Sequence, residues 1–145
     1  MKQVHGEYLI TLSGNIQLTQ AYGPWNKECV EAFIYDYRHE LGEAATKNWA
    51  DIVVLKGESL LVPDAEILLQ ESVLRVSQIG LQRVAIVTGE SMVKTTSQMQ
   101  LDRLYSSTGV PHCFFYQYAD AKQWLAKFGF VTEPHTENAH LDKLG

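Results

Sequence analysis

Five histidines are the side chains in this 145-residue sequence best suited to metal or acid–base chemistry, and their spacing argues against both. His5, His39, His112, His135 and His140 stand singly, with no HxxxH or HExxH pair on a helical stretch. His112 adjoins Cys113, but neighbours on a strand point to opposite faces and cannot easily share one ion. We therefore expect no metal and no cofactor. Among nucleophiles, Ser91 follows a strand and a glycine in Thr88-Gly89-Glu90-Ser91-Met92, yet the GxSxG elbow of hydrolases is missing. Thr95 and Thr96 have no base placed beside them by the sequence. Neither GxGxxG nor GxxxxGK[ST] is present, so no glycine-rich loop cradles a phosphate.

What remains are polar and aromatic residues where strands hand over to helices. In open α/β sheets, ligands bind beyond the carboxyl ends of the strands. Trp25, Asn26, Asp64, Glu90 and Lys94 fall at such joints and are the candidate ligand- or partner-binding residues. Each also has a structural reading. Asn26 and Asp64 suit helix N-caps, whose side-chain oxygens accept from otherwise unpaired amides. Trp25 suits a hydrophobic staple onto Val30. Glu90 and Lys94, four apart, suit a solvated pair. Asp64 and Glu90 also place negative charge where an anion would need free amides, which counts against a phosphate site.

The elements that must position these residues follow from periodicity. Tyr8, Ile10 and Leu12 alternate, as do Ile16 and Leu18, with Ser13-Gly14 between; this predicts a hairpin over 4–12 and 15–22. Val30, Phe33, Ile34, Tyr37 and Leu41 then recur at helical spacing up to Gly42. Trp49 to Leu55 reads as a strand buried on both faces, ended by Lys56-Gly57. Pro63-Asp64 opens a second helix that stops near Gly80. Arg83 to Thr88 is another buried strand, 92–106 a more polar helix, His112 to Tyr118 an aromatic-rich strand, and 121–128 a short helix ending at Gly129. The fold class is therefore α/β: a mixed, mainly parallel sheet of about five strands flanked by about four helices, with an N-terminal β-hairpin. Residues 1–130 form one domain. Residues 131–145 read as a polar, solvated tail, with a fragment of helix near Leu141 and Leu144.

Composition bounds the partners. The net charge is −5, and the 12 basic residues are scattered rather than clustered, so neither nucleic acid nor an anionic membrane surface is the expected partner. No apolar run is long enough to span a membrane, and no signal peptide is expected. A cytoplasmic location is the expectation, with Cys29 and Cys113 as reduced thiols.

This order of elements, with Gly23-Pro24-Trp25-Asn26 opening the first helix and Leu61-Val62-Pro63-Asp64 the second, resembles the STAS-like proteins. The Gly80 turn before Val84-Ala85-Ile86-Val87, and Phe115, Ala121 and Trp124-Leu125 near the end, resemble more closely the bacterial branch related to the sporulation anti-sigma-factor antagonist. The likeness spans roughly 4–129. It implies a regulatory or partner-binding role rather than catalysis. The related CRAL-TRIO type implies, as an alternative, carriage of a small apolar or lipid ligand. The antagonists carry a phosphorylatable serine at the start of the second helix; here that position is about Asp64, and Ser59 falls earlier, so the phosphoswitch is not carried over. A third alternative is a small enzyme with a site near Asn26, Asp64 and Glu90. The three differ structurally: partner binding calls for an exposed apolar helix face, carriage for an enclosed apolar pocket of a few hundred cubic ångströms, and catalysis for a cleft holding a carboxylate with a shifted pKa.

Overall fold

Alternation in the first 25 residues produces β1 (Glu7–Ser13) and β2 (Ile16–Trp25), an antiparallel pair turning at Gly14, where φ is 61°. A computed structural model of the chain describes residues 7–142; the expected start of β1 at residues 4–6, and Leu144, lie outside them. The change to helical period after Pro24 produces α1 (Lys27–Leu41), followed by a 3-10 turn at Gly42–Thr46. Then come β3 (Trp49–Leu61), α2 (Pro63–Ile79), β4 (Leu81–Ser91), α3 (Lys94–Thr108), β5 (His112–Phe115), α4 (Tyr118–Ala126) and α5 (Pro134–Asp142).

The five strands lie in the order β1-β2-β3-β4-β5. β1 is antiparallel to β2, and β2 through β5 run parallel. The sequence had left this order open, and it has a consequence. Right-handed crossovers that always step to the next strand in the same direction place every connecting helix on the same side. Thus α1, α2 and α3 pack side by side over one face, while α4 and α5, which follow the last strand, are left to cover the other.

Four elements differ from expectation. Gly57 does not end β3. With φ at 57° it interrupts the strand, which continues to Leu61 and pairs Leu61 with Trp25 across a register shift. A glycine inside a strand marks an irregularity rather than a stop. The extension needs a second glycine opposite: a Cβ on Gly23 would stand 2.2 Å from the carbonyl oxygen of Glu58. Similarly, β4 runs through Gly89 to Ser91, and β5 is cut short at Phe115 as α4 begins at Tyr118.

The polar segment after 131 is the fourth difference. It is a docked helix, not a solvated tail: α5 packs on β1 and buries Glu137 and His140. Its apolar content is low, so hydrophobic periodicity had little to detect. Polar contacts hold it. Ser13 Oγ donates to the Glu133 carbonyl and accepts from the Glu133 amide, at 2.9 and 2.8 Å. His140 Nδ1 lies 2.8 Å from Thr11 Oγ1.

Candidate functional site

Strand pairing lines up Thr19 with Val53 and Gln17 with Asp51, so these residues share the face under α1, α2 and α3. The helices cover that face with Phe33, Ile34 and Tyr37 from α1, Leu69, Val73 and Val76 from α2, and Leu101 and Tyr105 from α3. The layers do not close completely. Between them lies a cavity, mostly apolar in lining, that leaves about 70 Å³ for the centres of water-sized molecules. Half-buried Phe33, Ile34, Leu60 and Gln100 mark its rim.

Its polar floor is small. Asp51 is 5% exposed, and both carboxylate oxygens accept from the Tyr37 hydroxyl, at 2.6 and 2.8 Å. Tyr37 in turn accepts from the Trp49 indole at 2.9 Å. Burial pushes Asp51 up to about 7, while the hydrogen bonds of Tyr37 and Trp49 pull the other way. Tyr37 is raised well above the ordinary phenol range, by burial first and by Asp51 second. Tyr105 is raised for the same two reasons. Beside them, Thr19 is 2% exposed, and its Oγ1 has no hydrogen-bond partner among the described residues. Such an orphaned hydroxyl is unusual, because buried polar groups are almost always paired.

The rim is tied together by side chains. Gln100 on α3 accepts from the Leu61 amide at 3.0 Å and donates to its carbonyl at 2.8 Å, pinning the outer end of β3. Ser59 Oγ lies 2.9 Å from Ser91 Oγ and 3.3 Å from Ser97 Oγ, and Ser97 donates to the Ser59 carbonyl at 2.6 Å. Ser59, expected in a loop, therefore joins β3 to β4 and α3.

Of the five residues singled out in the sequence, the structure brings only Trp25 to this cavity. Trp25 ends β2, donates its indole N–H to the carbonyls of Glu7 and Tyr22, and packs on Tyr8 and Phe33. Asn26 caps α1 as expected, accepting from the Cys29 amide at 2.9 Å. Asp64 does not cap α2. Pro63 occupies the first helical turn, the cap position falls on Val62, and Asp64 is an exposed first-turn residue. Proline favours the first position inside a helix, so the cap precedes it. Glu90 pairs with Lys56 at 3.5 Å rather than with Lys94. The Lys94 ammonium instead sits 4.7 Å from the centre of the Tyr116 ring. Cys29 is buried in the first turn of α1 and Cys113 is half-buried on β5; both carry thiols.

Sequence reasoning passed over Asp51, Tyr37 and Thr19 as a group. A signal existed. Asp51 stands inside Trp49-Ala50-Asp51-Ile52-Val53-Val54-Leu55, a run read as buried on both faces, where an ionisable residue must find partners or shift its pKa. Tyr37 was visible only as a helical apolar position, and nothing local joins it to residue 51.

On the opposite face, α4 and the chain just after it cover Ile16, Leu18, Ala50, Ile52 and Val54 with Ala121, Leu125 and Phe130, and α5 packs against β1. The buried carboxylate there, Glu137, accepts from Tyr118 at 2.6 Å and from Lys122 at 2.9 Å. Burial disfavours its charge, but the hydrogen bonds of Tyr118, Lys122 and Thr132 outweigh it and lower its pKa. Among the described residues, no group of three or more His, Cys, Asp or Glu could hold a metal ion, and no helix is long and apolar enough to cross a membrane.

An uncharacterised protein of the DUF3478 family from Shewanella loihica PV-4, described as having a SpoIIAA-like fold, superposes with a TM-score of 0.60. The likeness covers 86% of this chain and 97% of that one, at 18% sequence identity. The chain thus has the SpoIIAA-like, STAS-like fold that its order of elements suggested. No family model and no curated protein matches the sequence.

Proposed function

We propose that this protein is a non-enzymatic binding module that holds a small, largely apolar ligand between the sheet and α1–α3, with occupancy as its regulatory signal. One observation carries the reading: an apolar cavity ends on a buried hydroxyl, Thr19, that has no partner among the described residues. Ligand pockets typically have this make-up, apolar walls with a few convergent polar groups. Size refines the notion of a carrier. A dry cavity of about 150 Å³ accommodates benzene, so roughly half that volume suits a small molecule and not a long-chain lipid.

The other two readings find less support. Exposed apolar residues do occur on the helix faces, such as Ile67 and Leu74 on α2 and Met99 on α3, but they are single side chains among polar neighbours. A shifted carboxylate is present in Asp51, yet the tyrosines that face it, Tyr37 and Tyr105, are raised by burial and keep their protons near neutrality, and no His, Lys or Cys lines the cavity as a partner for acid–base or nucleophilic chemistry. Asn26, Asp64 and Glu90 do not share its cavity.

Xenon tests the cavity directly, because it enters apolar voids without needing polar contacts. We expect the 129Xe resonance to shift with protein concentration, and Val73→Phe, which fills the space from α2, to abolish the shift while the protein stays folded. Equal xenon response in the parent and the folded variant would refute a binding cavity here.

A further inference from the structure

We propose that the occupant of this cavity is a small molecule with an apolar body and one hydrogen-bond donor, an alcohol or a primary amine, seated with its donor on Asp51 and Thr19. The inference rests on the cavity-binding reading above and adds the polarity of the ligand head. Three features fix that polarity.

The first is charge. Asp51 is the only carboxylate or cation among the lining residues, with no Lys, Arg or His to balance it. A fatty acid, phosphate or other anion would meet a carboxylate in a low-dielectric space without a compensating cation, which is strongly unfavourable. The second is hydrogen-bond capacity. An ionised carboxylate offers about four acceptor positions and no donor. Here one hydroxyl, from Tyr37, serves both oxygens, and that hydroxyl already accepts from Trp49. The floor therefore has acceptor capacity in excess. Hydroxyls of Thr19, Ser72 and Tyr105 can act as donor or acceptor and do not reverse the balance. The third is size. A space of about 70 Å³ for water-sized centres admits a body of a few carbons, which leaves room for one polar head and not for a string of them.

The groups facing Asp51 come from each packed element: Thr19 on β2, Tyr37 on α1, Trp49 on its own strand, Ser72 on α2 and Tyr105 on α3. None is cationic, so the sole charge change in the site near neutrality is that of Asp51 itself, which burial places at about 7. Above that value the floor is an anion, and an ammonium head gains over a hydroxyl. Below it, the protonated acid serves a neutral alcohol equally well.

Four probes of nearly equal size separate these possibilities: 1-butanol, butylamine, 1-methoxypropane and butyrate, each titrated at pH 8 into 15N-labelled protein and followed by NMR. Ligands this small bind in the millimolar range, where amide shifts remain readable. We expect butanol and butylamine to bind about tenfold tighter than the ether, the ratio that one net hydrogen bond supplies, and butyrate not to bind. Thr19→Val, which preserves shape and strand propensity, should weaken butanol several-fold. Asp51→Asn should remove any advantage of the amine over the alcohol. A tighter amine assigns a cationic ligand, and a tighter alcohol a neutral one; both support the donor. Equal binding of all four, or tightest binding by butyrate, would overturn the donor while leaving the cavity reading intact, provided Val73→Phe still abolishes the shifts. Failure of every probe, or equal shifts in parent and Val73→Phe, would overturn both.

Discussion

Two buried carboxylates, one on each side of the sheet, show how far environment governs a residue type. Asp51, under α1–α3, has a phenol and an indole for company and no cation; its pKa rises to about 7. Glu137, on α5 against the other face, has Lys122 and Tyr118 within 2.9 Å, and its pKa falls. Desolvation acts against the charge in both cases; it dominates at Asp51, whereas at Glu137 the hydrogen bonds of Tyr118, Lys122 and Thr132, with the Lys122 charge added, outweigh it. The second face is closed by interlocking apolar side chains and by polar ones that are paired except at the side-chain oxygen of Gln20. On the first, an unpaired hydroxyl and a buried acid adjoin a cavity. A strained polar arrangement of that kind costs stability, and such departures from local consistency concentrate at functional sites.

The largest expected effect sharpens this contrast through pH. Asp51 has its proton when folded at pH values where the unfolded chain, at about 3.8, has lost it. The stability it contributes is therefore complete below about pH 4 and disappears as pH rises through 7, by up to about 4 kcal/mol. Glu137 works oppositely: its contribution is present above the ordinary carboxylate range and is lost on acidification. Urea unfolding at pH 5 and pH 8 should show the parent weaker at pH 8 and Asp51→Asn nearly insensitive. Glu137→Gln should keep the parent's loss between those values. If Asp51→Asn retained the full loss, the assignment of the titration to the cavity floor would be wrong.

Removing one hydroxyl from each face is the next test. Tyr37→Phe strips Asp51 of its donor and leaves the Trp49 indole, fully buried, without its acceptor. Stranded buried groups of this kind make a loss of about 3 kcal/mol the expectation. Tyr118→Phe leaves the buried Glu137 with Lys122, itself half-exposed, and should cost about 1 kcal/mol. Equal losses would erase the distinction between the faces.

Period 2 and period 3.6 carried most of the fold, because each of β1 to β5 and α1 to α4 presents an apolar pattern to a packed neighbour. Two things were illegible for physical reasons. α5 docks through polar residues, Ser13 and Thr11 far away in the chain and Tyr118 and Lys122 on the preceding helix, and leaves little apolar periodicity. The cavity depends on how three helices fail to close over strands, a property of their mutual spacing that no window of sequence contains. The candidate residues at the strand ends were chosen by a rule for open sheets, but the polar floor lies at mid-strand, facing the helices. Asp51 in an apolar run was the legible clue.

A smaller effect separates the two helix starts. Asn26 accepts from the Cys29 amide, so Asn26→Ala should cost about 1 kcal/mol. Asp64 makes no capping bond, and Asp64→Ala should cost only the few tenths of a kcal/mol expected from a first-turn charge near the helix dipole. Thermal unfolding of the two variants beside the parent resolves them, and a larger loss at Asp64 would show that its carboxylate has a role beyond the dipole.

The smallest expected change has the opposite sign. Thr19→Val removes a hydroxyl that is buried and unpaired, and replaces it with a methyl group of nearly the same shape. Valine retains the branch at Cβ that suits a strand, so the backbone has no reason to move. Leaving a buried hydroxyl unsatisfied costs about 1–3 kcal/mol, and partial solvation through the adjoining cavity reduces that. The ligand-free protein should therefore gain up to about 1 kcal/mol, or a few degrees in melting temperature for a chain of this size. The same substitution is expected to weaken an alcohol in the cavity, so stability and binding should move in opposite directions. A core hydroxyl serving only the fold would behave otherwise: its removal would lower the melting temperature and leave binding unchanged. Measuring both quantities on Thr19→Val thus decides whether this face of the sheet forgoes stability for the sake of a ligand.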